Sequence, residues 1–278
     1  MIPVDLAVVG GLTVDQLASG GTAAGGAGRY ATEAALAAGH SVALLTAAGP
    51  ETEVADWLDG LRSAVPRIVA VTTTSIRFEH AGSADARRLR LLAVVPPLPE
   101  NGLTALPVAR AVLFGPVAGE VSVELLADGP DSLFRVAGIQ GWLRRPDASG
   151  WIQPVPLADL DPDLATGLRS LDLLVASERD IGAGLVAPQA LGILRGWAGP
   201  GPELVITAGA QGAWAQVRDE PMVHVPASAL AGTPATVGAG DAFAANLAAL
   251  RGQGQSLGEA AHGAGQATAR WLGTRPPP

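Results

Sequence analysis

The 278-residue chain contains no cysteine and no lysine. Without cysteine, disulfides, thiol catalysis and cysteine-ligated metals are excluded. Without lysine there is neither a Walker A loop, which needs Gly-Lys-Ser/Thr, nor a lysine Schiff base. All 18 basic residues are arginine. Nucleotide chemistry, if present, must use backbone amides, helix ends, arginine and metal ions. Aromatics are also scarce, at 4% against a hydrophobic share of 48%, so the core is aliphatic and alanine-rich. No apolar run approaches the ~20 residues that span a bilayer. The formal net charge of −8 argues against nucleic acid or an anionic membrane surface as partner. The start, Met1-Ile2-Pro3-Val4-Asp5, lacks a basic n-region, so no signal peptide and a cytoplasmic location are expected. His40, His80, His224 and His262 are scattered without metal-ligand spacing and read as ordinary residues.

What is present is an alternation of short apolar runs and helical stretches, punctuated by glycine and proline. Val4 to Gly11 reads as a buried strand ended by glycines. Glycine-rich 20–28 leads into an alanine-rich helix from Tyr30 to Ala38, ended by Gly39. Glu51 to Ala64 reads as an amphipathic helix with Val54, Trp57, Leu58 and Leu61 on one face. Val69 to Phe78 and Arg88 to Val95 flank a polar Gly82-Ser83-Ala84-Asp85 turn, a β-hairpin by pattern. Strands are also expected at 111–120, 133–138, 171–176 and 203–207, and a hairpin at 213–217 and 222–225. The pattern predicts one α/β domain over 1–278 with a mainly parallel central sheet flanked by helices. The tail Pro276-Pro277-Pro278 reads as unstructured.

The chemistry concentrates in Thr236-Val237-Gly238-Ala239-Gly240-Asp241-Ala242-Phe243. Its glycines allow a sharp bend and close approach of backbone N–H groups to a ligand. A helix beginning at about Gly240 puts unpaired N–H donors and the positive dipole end beside Asp241. A carboxylate there can accept a hydroxyl proton while the amides hold developing negative charge. By itself, Asp241 reads first as a favourable acid in a helix's first turn.

The Gly-Ala-Gly-Asp stretch, followed by an aromatic and small residues, resembles the signature of the ribokinase-like (PfkB) carbohydrate kinase family. The resemblance implies that Asp241 is the base and that Gly238, Ala239 and Gly240 form an anion hole. It implies further that Asp15, in Thr13-Val14-Asp15, binds substrate hydroxyls, and that Gly25 and Gly26 close on the substrate. Tyr30 stands where many members have asparagine. Gln140 and Arg144 are similar to residues of the inositol kinase branch, as is the Gly115-Pro116…Glu120 turn. Ser177 and Asp180 occupy the Asn-x-x-Glu segment, where Asp180 would arrange Mg2+ through water; a helix cap explains the same residues. Thr207, Gly209 and Gly212 match the Thr-x-Gly-x-x-Gly turn that contacts ATP, and Gln266 would face the adenine. A small β lid is implied from about 11–24 and 72–96.

The expectation is an ATP-dependent phosphotransferase acting on a hydroxyl of a sugar or polyol, inositol-like, or of a nucleoside. A short lid either exposes the site or pairs with a second subunit in a homodimer. Changes at Gly138, Ala235 and the metal segment motivate an alternative, a family member that binds ligand without catalysis. A dinucleotide-dependent oxidoreductase is weaker, because no acidic residue ends the second strand, Ser41 to Thr46, where a ribose would need it.

Overall fold

The computed structural model describes residues 3–61, 65–82, 88–230 and 235–275. Met1, Ile2, the turn residues Ser83 to Asp85, Pro234 and the triple-proline tail lie outside them. In chain order come β1 (Val4–Gly10), β2 (Thr13–Gln16), β3 (Thr22–Gly25), α1 (Ala27–Ala37), β4 (Val42–Ala48), α2 (Thr52–Gly60) and β5 (Arg67–Val71). There follow β6 (Ile76–Ala81), β7 (Arg88–Ala93), β8 (Ala109–Gly115), α3 (Val123–Leu126), β9 (Phe134–Gly138), β10 (Arg144–Pro146), β11 (Ile152–Pro154) and α4 (Pro162–Arg169). The remainder is β12 (Leu173–Ser177), α5 (Glu178–Ile181), α6 (Ala187–Ala198), β13 (Glu203–Thr207), β14 (Ala213–Gln216), β15 (Val223–Val225), α7 (Ala239–Gly252) and α8 (Leu257–Gly273).

Nine strands form the central sheet in the order β15-β14-β13-β12-β9-β8-β1-β4-β5. From β13 to β5 every pairing is parallel, and β14 and β15 add an antiparallel edge. The inner strands are apolar on both faces, as a sheet covered on both sides requires. On one face α1, α7 and α8 pack against Leu6, Val8, Leu44 and Val175. On the other, Leu191 and Leu194 of α6 and Leu168 of α4 pack with Val9, Phe114 and Ile206.

Helix α7 is buried from Ala242 to Ala249. Its alanines let it lie close to the sheet. A Cβ on Gly252 at its end would meet Ala111 at 2.8 Å. This close seating fixes where the first turn of α7 points.

A second sheet, in the order β3-β2-β6-β7, is the expected lid. One sequence-based expectation fails here. Val69 to Phe78 is not a single strand. Its first part is β5, an edge of the central sheet, and its end enters β6 of the lid. The break is made by a residue from elsewhere in the chain. Glu51 accepts hydrogen bonds from the Ser75 amide at 3.0 Å, the Ser75 hydroxyl at 2.7 Å and the Thr74 hydroxyl at 2.9 Å. Side-chain bonds of this kind compete with the ladder and turn the chain. The helix expected at Tyr30 starts three residues earlier, at Ala27, and the one expected from Glu51 is described only to Gly60.

Candidate active site

Three loops at the C-terminal ends of parallel strands meet the leading turn of α7, the side on which open α/β sheets carry ligands. Between them and the lid lies a cavity of about 100 Å³. Asp241, Asp15, Gly26, Tyr30, Gln140 and Arg144 all line it, so the structure brings these six together. Gly25 lies against the same wall: a Cβ there would sit 2.7 Å from the Thr13 hydroxyl.

Gly238 takes the left-handed conformation, φ 82°, that lets the chain enter α7 at Ala239. A Cβ at Gly238 would overlap the Tyr30 ring. Tyr30 therefore has the catalytic turn on one side and the cavity on another. Asp241 stands in the first turn, part-buried, at the wall of the cavity. Burial pushes its pKa up to about 6; Arg144 pulls it down and Asp180 pushes it further up. A carboxyl in that range suits proton transfer near neutrality.

Asp15, 7% exposed, accepts from the Thr13 hydroxyl at 2.9 Å, and the His80 imidazole stands 3.5 Å away. Thr13 and His80 both face the cavity. His80 is a site residue that its lone position in the sequence does not reveal. The signal that finds it is strand alternation: Ile76, Phe78 and His80 share a face of β6, and Phe78 pairs with Asp15 of β2.

Asp180 caps α5, as its place in the sequence allows, and also reaches the cavity wall. One carboxylate oxygen accepts from the Ser177 amide at 2.9 Å and hydroxyl at 2.6 Å, a capping box on α5. The other accepts from Gln140 at 3.0 Å, with Arg144 at 3.5 Å. Each oxygen thus accepts at least one hydrogen bond from the protein. Among the described residues no cluster of three His, Cys, Asp or Glu side chains could cage a metal. Asp180 meets Gln140 and Arg144, which line the cavity together with Asp241.

Ser177 and Thr207 end neighbouring parallel strands in register. Gly209 and Gly212 have φ 53° and 91° and shape the turn after β13. A side chain on Gly212 would run into the backbone of Val225 and Ala227. Gln266 is exposed on α8 and bonded to His262 at 2.9 Å. Ser177, Thr207, Gly209, Gly212 and Gln266 do not line the cavity that holds Asp241 and Asp15.

Glu120 is fully buried and was not assigned a role by its position in the sequence. Its carboxylate accepts from the amides of Gly11 at 2.7 Å, Val117 at 2.8 Å and Ala118 at 2.8 Å. It ties the loop after β1 to the loop after β8, two walls of the cavity. Burial raises its pKa, and the three amides oppose that rise. Glu120→Ala leaves the buried Gly11 amide unpaired and the part-buried Val117 and Ala118 amides without this acceptor. The expected loss is about 1–3 kcal/mol of unfolding free energy, read from the urea midpoint at unchanged slope.

No protein-family model matches the sequence, and no curated protein matches it. Solved structures do resemble the fold. A pyrophosphate-dependent kinase in the ribokinase family, complexed with a pyrophosphate analog and myo-inositol, superposes with a TM-score of 0.76 at 18% identity, over 98% of this chain and 96% of that one. Arabidopsis thaliana ribokinase, complexed with ribose and ATP, gives 0.75 at 14% identity over 99% and 95%. Ribokinase from Cryptococcus neoformans var. grubii serotype A, in complex with ADP, gives 0.73 at 18% over 100% and 96%. From β1 through α8, with its lid sheet included, the chain has the ribokinase fold.

Proposed function

We propose that this protein is a phosphotransferase that moves a phosphoryl group onto a hydroxyl of a small, uncharged sugar or polyol. The observation that carries the reading is the position of Asp241. One carboxyl, in the first turn of α7 behind a left-handed glycine, faces the same cavity as Asp15. In this reading Asp15 and Thr13 hold acceptor hydroxyls. Asp241 takes the proton from the hydroxyl that attacks. The amides of Ala239, Gly240 and Asp241 stabilise the charge on the transferring group, and Arg144 adds a positive charge beside it. The acidic lining, Asp15 and Asp241 with Asp180 behind Gln140, disfavours an acceptor that already carries phosphate or carboxylate.

The donor in this reading is ATP, with magnesium carried on its phosphates. The turn from Thr207 to Gly212 and Gln266 on α8 would meet the nucleotide. Pyrophosphate is the competing donor, because a neighbour in the same fold is pyrophosphate-dependent. The test is a matrix of two donors, each with magnesium, against inositols, hexoses, pentoses and nucleosides. Formation of a phosphomonoester is followed by phosphorus NMR. The expected result is one phosphorylated sugar or polyol, made with one preferred donor. Acceptor binding in calorimetry with no product from any pair would favour the non-catalytic reading and end this one.

A further inference from the structure

We propose that Arg275 is a positioning residue for the catalytic turn, holding Val237 and Tyr30 together so that the acceptor wall and the anion hole keep a fixed relation. Its catalytic meaning rests on the phosphotransferase reading; its structural content does not. The Arg275 guanidinium donates a hydrogen bond to the Val237 carbonyl, one residue before Gly238. The same group lies 5.2 Å from the centre of the Tyr30 ring and 4.7 Å from that of Trp271. Those two rings meet edge to face at 6.3 Å. Tyr30 in turn touches Gly238, where a side chain would overlap the ring. Tyr30, Val237 and Asp241 all line the cavity.

One cation thus fastens both the carbonyl that precedes the turn and the ring against which the turn rests. Helix propensity and packing of α8 would be satisfied by any residue just past its C-cap. A delocalised cation that lies near the faces of two rings while its N–H reaches a carbonyl is specific to arginine. Where an acceptor presses on Tyr30, that contact passes to Gly238 through a single layer of atoms.

The experiment compares wild type, Arg275→Ala and Arg275→Lys by two measurements. The first is amide hydrogen exchange of the peptide covering 235–241. The second is ultraviolet titration of the phenol, which reads Tyr30 alone because the chain has one tyrosine. Exchange in 235–241 is expected to quicken about tenfold in Arg275→Ala, as for loss of a hydrogen bond and a stacked cation. Arg275→Lys, which keeps a donor but not the plane, should fall between. Burial and Asp15 already raise the Tyr30 pKa while Arg29 and Arg275 lower it, so Arg275→Ala should raise it further.

Wild-type exchange in 235–241, with quickening confined to the end of α8, would overturn the proposal. So would an unchanged phenol titration. If Arg275→Ala does not fold, Arg275→Lys decides alone: faster exchange in that peptide sustains the proposal and wild-type exchange overturns it. Neither measurement needs turnover, so failure of the phosphotransferase reading shows separately, as absence of product in the donor–acceptor matrix.

Discussion

Asp241→Asn is expected to lower kcat roughly 10³-fold while leaving the fold intact, the size of effect assigned to a positioned general base. Asparagine fits the same space but cannot take a proton. Acceptor binding should change little, because Asp15 and Thr13 remain. The same variant should be more stable than wild type near pH 8. The folded pKa of Asp241, about 6, lies above its ordinary 3.8. The fold therefore favours the neutral acid, and the ionised form carries a penalty that grows from about pH 4 to pH 6 and is full above. Asparagine removes it, so the melting temperature of the variant should exceed that of wild type at pH 8. The difference should shrink toward zero below pH 4. A destabilised functional group of this kind is a familiar exchange of stability for activity.

Gly238→Ala is expected to damage both stability and catalysis. Gly238 has φ 82°, and an L-residue there loses roughly 1–2 kcal/mol. The added methyl also overlaps Tyr30, which is buried against Ala34, Ala242 and Trp271 and has little room to yield. Overpacking of that sort adds about 1–3 kcal/mol. The total, on the order of 3 kcal/mol, should appear in chemical unfolding. Whatever remains folded carries a displaced turn, and misaimed anion-hole donors lower kcat by about 10²–10³-fold. A double variant with Tyr30→Ala, which opens space beneath the methyl, should recover part of the stability but not the rate. Full activity in Gly238→Ala would show that the turn does not hold the transferring group.

Local rules made much of this legible. The strands β1, β8, β12 and β13 are apolar runs ended by glycine or by polar turns, and each stands where the alternation of elements predicts. Ser256 caps α8 with Glu259 as its partner, a pattern readable from four residues. The Gly238 to Asp241 stretch announced its turn and helix through composition. What escaped depended on residues distant in the chain. Glu120 acts on Gly11, more than a hundred positions away. Asp180 is committed to Gln140 and Arg144 by the sheet that brings β9 beside β12. The break after β5 comes from Glu51, on a different element. Arg275 shows nothing locally of the Tyr30 ring and the Val237 carbonyl it joins. Pairwise contacts of that kind have no period and no spacing rule.

Asp241 as the ionised base that meets the acceptor is the claim on which the rest depends. The pH dependence of kcat/KM for the acceptor in wild type and in Asp241→Asn, measured with the preferred donor, tests it most directly. The predicted wild-type rate climbs through an apparent pKa near 6 and levels above it. In Asp241→Asn that inflection is gone and only a small residual rate remains. A variant that keeps the wild-type rate, or the same inflection, would contradict the assignment of Asp241.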